Sequence, residues 1–144
     1  MITDFDIKIF VVDDVRFYLN VFGQYILNLG YVDVTTFESG NDCLTAMHQK
    51  PDVIFLDYQM DGLSGYDVLK KIKRINPNIY VVMISAQEEI GPAIESLKYG
   101  AFDYLEKGEH AEVKIKEVLN RILEVRDLMA RTKPSFMKSV LKFL

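Results

Sequence analysis

The sequence predicts a doubly wound α/β sandwich, a five-stranded parallel sheet with helices on both faces, and three observations carry that prediction. Five short runs rich in β-branched and aromatic residues, at about 7–12, 32–37, 53–57, 79–84 and 102–105, alternate with segments of helical periodicity, the pattern of successive βαβ units. Three of the runs end in groups foreign to a core: Asp13 and Asp14 after the first, Asp57 after the third and Ser85 after the fourth. In an open parallel sheet the ligand crevice lies beyond the carboxyl ends of the strands, so side chains placed there converge.

The first run, ending Ile9-Phe10-Val11-Val12, is continuously apolar, as expected of a central parallel strand covered on both faces. Phe17, Leu19, Val21, Phe22, Tyr25, Ile26 and Leu29 then give the segment from Val15 to Leu29 an apolar helical face, with Gly30 as its stop. The second run, Val32-Asp33-Val34-Thr35-Thr36-Phe37, alternates and belongs at a sheet edge. A helix at about 39–49 follows, carrying Cys43 as a small packed side chain with no redox role. The third run is again fully apolar before Asp57. Ser64-Gly65-Tyr66-Asp67 has capping-box spacing, with Asp in the usual Glu or Gln position, and opens a helix at 65–75. The fourth run, Val81-Val82-Met83-Ile84, leads to Ser85 and a helix at about 88–99; the fifth leads to a helix at about 111–130. Right-handed crossovers wind these units into the layered sandwich.

At 144 residues, the chain suits one domain large enough to bury a real core. Its 49% hydrophobic and 26% charged residues are globular proportions. With a net charge of -4 and no basic cluster in the body, direct nucleic-acid binding is not expected. One cysteine excludes an internal disulfide. The start has no signal-peptide pattern and no apolar stretch approaches the ~20 residues that cross a bilayer, so the expectation is a cytoplasmic protein.

Two adjacent carboxylates in a crevice repel each other and call for a cation. Asp13, Asp14, Asp57 and one backbone carbonyl suit magnesium, which takes a few such oxygens and completes its octahedron with water. A carboxylate such as Asp57 is also a nucleophile toward a phosphoryl group when fixed cations neutralise the transferring oxygens. Lys107, just beyond the fifth strand, is the candidate for the second cation, and the Ser85 hydroxyl can donate to a phosphoryl oxygen.

In this order and spacing, Val12-Asp13-Asp14, Leu56-Asp57-Tyr58-Gln59-Met60 with Gly62 and Ser64-Gly65, Ile84-Ser85-Ala86 and Gly100-Ala101-Phe102-Asp103-Tyr104-Leu105-Glu106-Lys107 resemble the receiver domain of two-component response regulators, similar to the chemotaxis regulators, over about residues 6 to 127. The resemblance implies a flavodoxin-like (βα)5 fold in which Asp57 accepts phosphate from a histidine kinase or phosphotransfer protein. It implies further that Asp13, Asp14, Asp57 and the main-chain carbonyl of Gln59 hold Mg2+, and that Lys107 contacts the phosphoryl group. Ser85 and Tyr104 would form a switch acting on the face made by the fourth helix, fifth strand and fifth helix, where a downstream protein partner or a second copy docks. Gln59 and Gln87 would tune phosphate lifetime. Such a chain is no enzyme beyond its own phosphotransfer and dephosphorylation. The chain departs from the family pattern at Gly108, where proline usually follows the lysine, and this implies a more loosely positioned Lys107. A second departure is Met60-Asp61 in place of Met-Pro, which adds a carboxylate.

Residues 1–131 are thus read as a receiver domain and 132–144 as a basic amphipathic tail without an output domain. In the tail Phe136, Met137, Val140, Leu141 and Leu144 share one helical face and Pro134 lies near the start. The tail is expected to fold back on the domain or to pair with a second copy; partner docking, a membrane surface, disorder or the stump of a longer protein are the alternatives. An aspartyl-phosphate phosphohydrolase would need an acid two residues after the nucleophile, where Gln59 stands, and flavodoxin-type cofactor binding conflicts with Asp13-Asp14 facing the cofactor phosphate. A receiver-like interaction module that works without phosphorylation is the remaining alternative.

Overall fold

A computed structural model of the chain describes the backbone of residues 4–86 and 90–141 and the side chains of residues 5–86 and 91–132. Its strands are β1 (Lys8–Val12), β2 (Asp33–Phe37), β3 (Val53–Asp57), β4 (Tyr80–Ser85) and β5 (Asp103–Glu106). Its helices are α1 (Arg16–Asn28), α2 (Gly40–Thr45), α3 (Gly65–Ile75), α4 (Ile90–Lys98) and α5 (Ala111–Leu141). All strand pairs are parallel, in the order β2-β1-β3-β4-β5, so β2 does lie at an edge and the three apolar runs are central.

Strand side chains alternate between faces, and this divides the core in two. Ile9, Val11, Val53, Phe55, Val82, Ile84 and Leu105 meet Leu19, Phe22 and Ile26 of α1 and Ile115, Val118, Leu119 and Ile122 of α5. Phe10, Val12, Ile54, Leu56, Val81 and Met83 meet Cys43 of α2 and Val68, Leu69 and Ile72 of α3. Each such large side chain stabilises the fold by about 1.5–3 kcal/mol on burial. Burial in this second layer pushes the Cys43 thiol up to about 12, consistent with a packed and unreactive cysteine.

Local chemistry sets the helix ends. Ser64 caps α3 by accepting from the Asp67 amide at 3.2 Å while its hydroxyl donates to the Asp67 carboxylate at 3.1 Å. Ser39 caps α2 by accepting from the Asp42 amide at 3.1 Å. The single helix expected at 39–49 is instead a six-residue α2 followed by a 3-10 turn at Met47–Gln49, after which Lys50 turns the chain with φ at 58°. Phe17, expected on the apolar face of α1, is 67% exposed. The buried stripe is Leu19, Phe22, Gly23 and Ile26, and at roughly 100° per residue Phe17 falls on the opposite side.

The last helix departs furthest from expectation. Instead of ending near 130, α5 runs unbroken for 31 residues through Pro134 to Leu141. The segment from Leu123 to Arg131 has no glycine or proline, Arg131 pairs with Asp127 one turn back at 3.0 Å, and the Thr132 hydroxyl donates to the Leu128 carbonyl at 2.8 Å. Propagating a formed helix is easier than nucleating a second one, so no backbone break separates residue 131 from 132. The apolar face expected at Phe136, Met137, Val140, Leu141 and Leu144 lies outside the described side chains, as does Gln87. Among the described residues no helix is long and apolar enough to cross a membrane.

Candidate functional site

The order of the strands reverses between β1 and β3, which opens a crevice beyond their carboxyl ends. Asp13, the first residue after β1, is 1% exposed. Its amide donates to the Phe37 carbonyl at 3.1 Å, and its Oδ1 accepts from the Val15 amide at 2.9 Å. Asp14 faces outward, where its Oδ2 accepts from the Asp61 amide at 3.0 Å. Asp57 closes β3 and is 2% exposed. Carboxylate oxygens of Asp13, Asp14 and Asp57 all lie within 4.8 Å of one another.

Lys107 completes the group. Its amide donates to the Ser85 carbonyl at 2.7 Å, which ties the β5–α5 loop to the end of β4. Its Nζ lies 2.8 Å from Asp13 Oδ2 and 3.4 Å from Asp57 Oδ1, in a side chain only 6% exposed. The Nζ also sits 3.9 Å from the centre of the Tyr18 ring. Gly108 follows with φ at 147°, and a Cβ there would meet nothing within 4 Å. Although no proline follows Lys107, two carboxylates and an aromatic face contact its ammonium from other elements.

Ser85, buried at the end of β4, stands beside this group. Tyr104 of β5 pairs in register with Met83 and is half-buried against the second core layer, with β4 between it and the strand that carries Asp57. Gln59 is exposed and, with Asp14, Tyr58, Met60, Asp61 and Ser64, lines a shallow cavity of about 330 Å³.

Three carboxylates face one ammonium here. Burial first, and Asp13 and Asp14 after it, push the Asp57 carboxyl up to about 7 against the opposing pull of Lys107. Asp13 Oδ2, although close to the ammonium, is buried and receives no directed hydrogen bond. Three clustered carboxylates sharing a single ammonium leave a surplus of negative charge, which fits a hard divalent cation such as Mg2+.

Two contributors are not anticipated in the sequence, and a third, Gly65, is anticipated there only as a motif residue. Tyr18 lies outside the apolar spacing of α1, so periodicity gave no signal for it. The Asp61 amide restrains Asp14 through the backbone, which side-chain identity does not report. Gly65 carries the third: its amide donates to the Tyr58 carbonyl at 3.0 Å, and an added Cβ would stand 2.2 Å from the Asp57 carbonyl oxygen. Only glycine lets α3 start this close to the end of β3. Gly65→Ala is expected to displace that junction at a cost of roughly 1–3 kcal/mol, seen as a lower urea midpoint together with weaker Mg2+ binding. An unchanged midpoint would mean that the junction yields freely.

Comparison with known proteins adds independent findings. The family model described as the response regulator receiver domain matches residues 9–122. The DNA-binding transcriptional regulator NtrC of Klebsiella pneumoniae is 43% identical over 74 residues, covering 51% of this chain and 16% of that protein. The chain spans 16% to 21% of the length of the curated relatives it matches first. Among solved structures, NtrX from Brucella abortus superposes with a TM-score of 0.82 at 28% identity, covering 90% of this chain and 29% of that one. A BeF3-activated DrrB receiver domain gives a TM-score of 0.74 at 29% identity, covering 83% of this chain and 98% of that one.

Proposed function

Because the chain belongs to the response regulator receiver domain family, we propose that it is a phosphorylation-activated switch whose acceptor is Asp57. The observation that carries this reading is the convergence, from three strand ends, of buried Asp13, Asp57 and Lys107 with exposed Asp14 at the mouth of one crevice. The donor is a phosphohistidine of a histidine kinase or phosphotransfer protein. A carboxylate oxygen of Asp57 attacks phosphorus; the new O–P bond forms as the P–N bond breaks, and the leaving imidazole keeps the electron pair and takes up a proton.

The chain's own groups prepare this step. Lys107 holds its charge where a phosphoryl oxygen arrives, and burial keeps bulk water from screening it. Asp13, Asp14, Asp57 and the main-chain carbonyl of Gln59 would hold Mg2+, which supplies neutralisation of charge on the phosphoryl oxygens. Gln59 at the cavity edge, and Gln87, adjust how long the phosphate survives by orienting or blocking water. The chemistry is confined to transfer onto, and hydrolysis from, Asp57.

The output follows from Ser85 and Tyr104. The Ser85 hydroxyl turns toward the phosphoryl oxygen and the Tyr104 ring moves into the space left, which alters the α4-β5-α5 face. Ile94 and Leu97 stand about half exposed on α4, ready to meet a downstream protein or a second copy. The setting for this cycle is the cytoplasm, where kinases and phosphotransfer proteins act.

Intact-protein mass after incubation with acetyl phosphate, with and without magnesium, tests the proposal alongside size exclusion with beryllium fluoride. The expected result is a magnesium-dependent phosphoryl adduct that is absent from Asp57→Asn. An adduct that survives in Asp57→Asn would move the acceptor elsewhere; no adduct on the native chain would leave an interaction module that works without phosphate.

A further inference from the structure

Lys107 reaches the acidic crevice from the β5–α5 loop, whose backbone is tied to the end of β4 by the Lys107 amide but whose following residue does nothing to aim the side chain. The next residue, Gly108, sits at a φ of 147°, and nothing lies within 4 Å of where its Cβ would be, so neither ring closure nor packing at that position aims the lysine. The peptide bonds among the described residues are all trans. Yet the Lys107 side chain is 6% exposed and makes three convergent contacts. Two are carboxylate oxygens, Asp13 Oδ2 at 2.8 Å and Asp57 Oδ1 at 3.4 Å. The third is the face of Tyr18, 3.9 Å from Nζ to the ring centre.

These contacts are not equivalent. Asp13 and Asp57 belong to the set of oxygens that fits a divalent cation, so any cation bound there competes with Lys107 for the same atoms. Asp57 is also the atom source for the proposed covalent step. The Tyr18 ring shares no atom with either event and contacts the ammonium from α1.

The ring is itself fixed. It stacks against Phe22 one turn on, with centres 6.1 Å apart and planes 22° from parallel, and meets Phe17 edge-on at 5.4 Å. Together with Lys107, Gly108 and Glu109, these α1 aromatics wall a cavity of about 410 Å³ beside the crevice. A cation over an aromatic face in a partly desolvated site is held by the ring quadrupole.

We propose that Tyr18 is the positioning residue for Lys107, its ring face supplying the restraint that Gly108 does not. This rests on the assignment of Lys107 to phosphoryl contact, and two readouts separate the two ideas. The first needs no phosphate: in the unphosphorylated, magnesium-free chain, the Lys107 Hε protons carry an upfield ring-current shift in NMR spectra. That shift is expected to persist in Tyr18→Phe and to vanish in Tyr18→Leu, which keeps the bulk and loses the π face. The second is the rate of adduct formation with acetyl phosphate at saturating magnesium. Tyr18→Leu is expected to slow it by roughly tenfold, while Tyr18→Phe restores it.

A Lys107 shift unchanged in Tyr18→Leu would overturn the proposal. So would a native rate in a Tyr18→Leu chain that folds normally, or a Tyr18→Phe chain as slow as Tyr18→Leu, which would assign the effect to the hydroxyl. Loss of the shift in Tyr18→Leu with no adduct on any chain would retain the contact and reject the phosphoryl role of the site.

Discussion

Metal-free protein carrying Asp57→Asn is expected to be more stable than the native chain, by roughly 2–4 kcal/mol at neutral pH and above. The Asp57 carboxyl is raised from its usual 3.8 to about 7, by burial first and then by Asp13 and Asp14. Between those two values the folded chain retains a proton that the unfolded chain has released. The carboxyl therefore contributes stability that is fully present below 3.8 and is lost as pH rises to about 7. Asparagine keeps the shape and does not titrate. The stability difference should accordingly be small near pH 4, grow up to about pH 7 and stay level beyond it. Urea unfolding of both chains in a chelating buffer at several pH values measures it. Saturating magnesium is expected to shrink or reverse the difference, since it binds only the native carboxylate set. Equal stabilities across the pH range would show that Asp57 is not held against its neighbours.

Lys107→Met separates metal binding from chemistry, with effects in opposite directions. Removing an ammonium 2.8 Å from Asp13 and 3.4 Å from Asp57 takes away the cation that competes for those oxygens. Magnesium is expected to bind about fivefold tighter, the Coulombic competition being on the order of 1 kcal/mol or more at this range. Acetyl phosphate transfer should nonetheless slow by roughly a hundredfold, because no fixed charge meets the phosphoryl oxygen. Titration calorimetry and single-turnover mass measurements read the two quantities separately. Loss of metal binding together with transfer would instead make Lys107 a structural support of the crevice.

Much of this molecule was legible without coordinates. The apolar runs ending at Val12, Leu56 and Ile84 are central strands, and the alternating run from Val32 is an edge, because burial on two faces or one leaves different patterns. Ser64 and Asp67 announce the start of α3 because capping chemistry is local. Asp13, Asp14, Asp57, Ser85 and Lys107 could be grouped because a parallel sheet brings the carboxyl end of every strand to the same edge. Where the reading went astray, local spacing was a weak guide. Phe17 is apolar yet lies on the side of α1 opposite the buried stripe, and α5 continues through Pro134 instead of stopping near 130.

The sequence by itself determined the layered sheet, the order of its strands along the chain and the identity of the groups gathered at its edge, since each depends on periodicity or on short-range rules. Only the tertiary structure decided how those groups act on one another. The height of the Asp57 pKa, the Tyr18 ring beneath Lys107, the Asp61 amide on Asp14 and the closeness of Gly65 to Asp57 all depend on distances between segments remote in sequence. Such distances are set by how loops and helices pack over the sheet. Because electrostatic and steric energies change steeply over an ångström or two, no pattern along the chain encodes them.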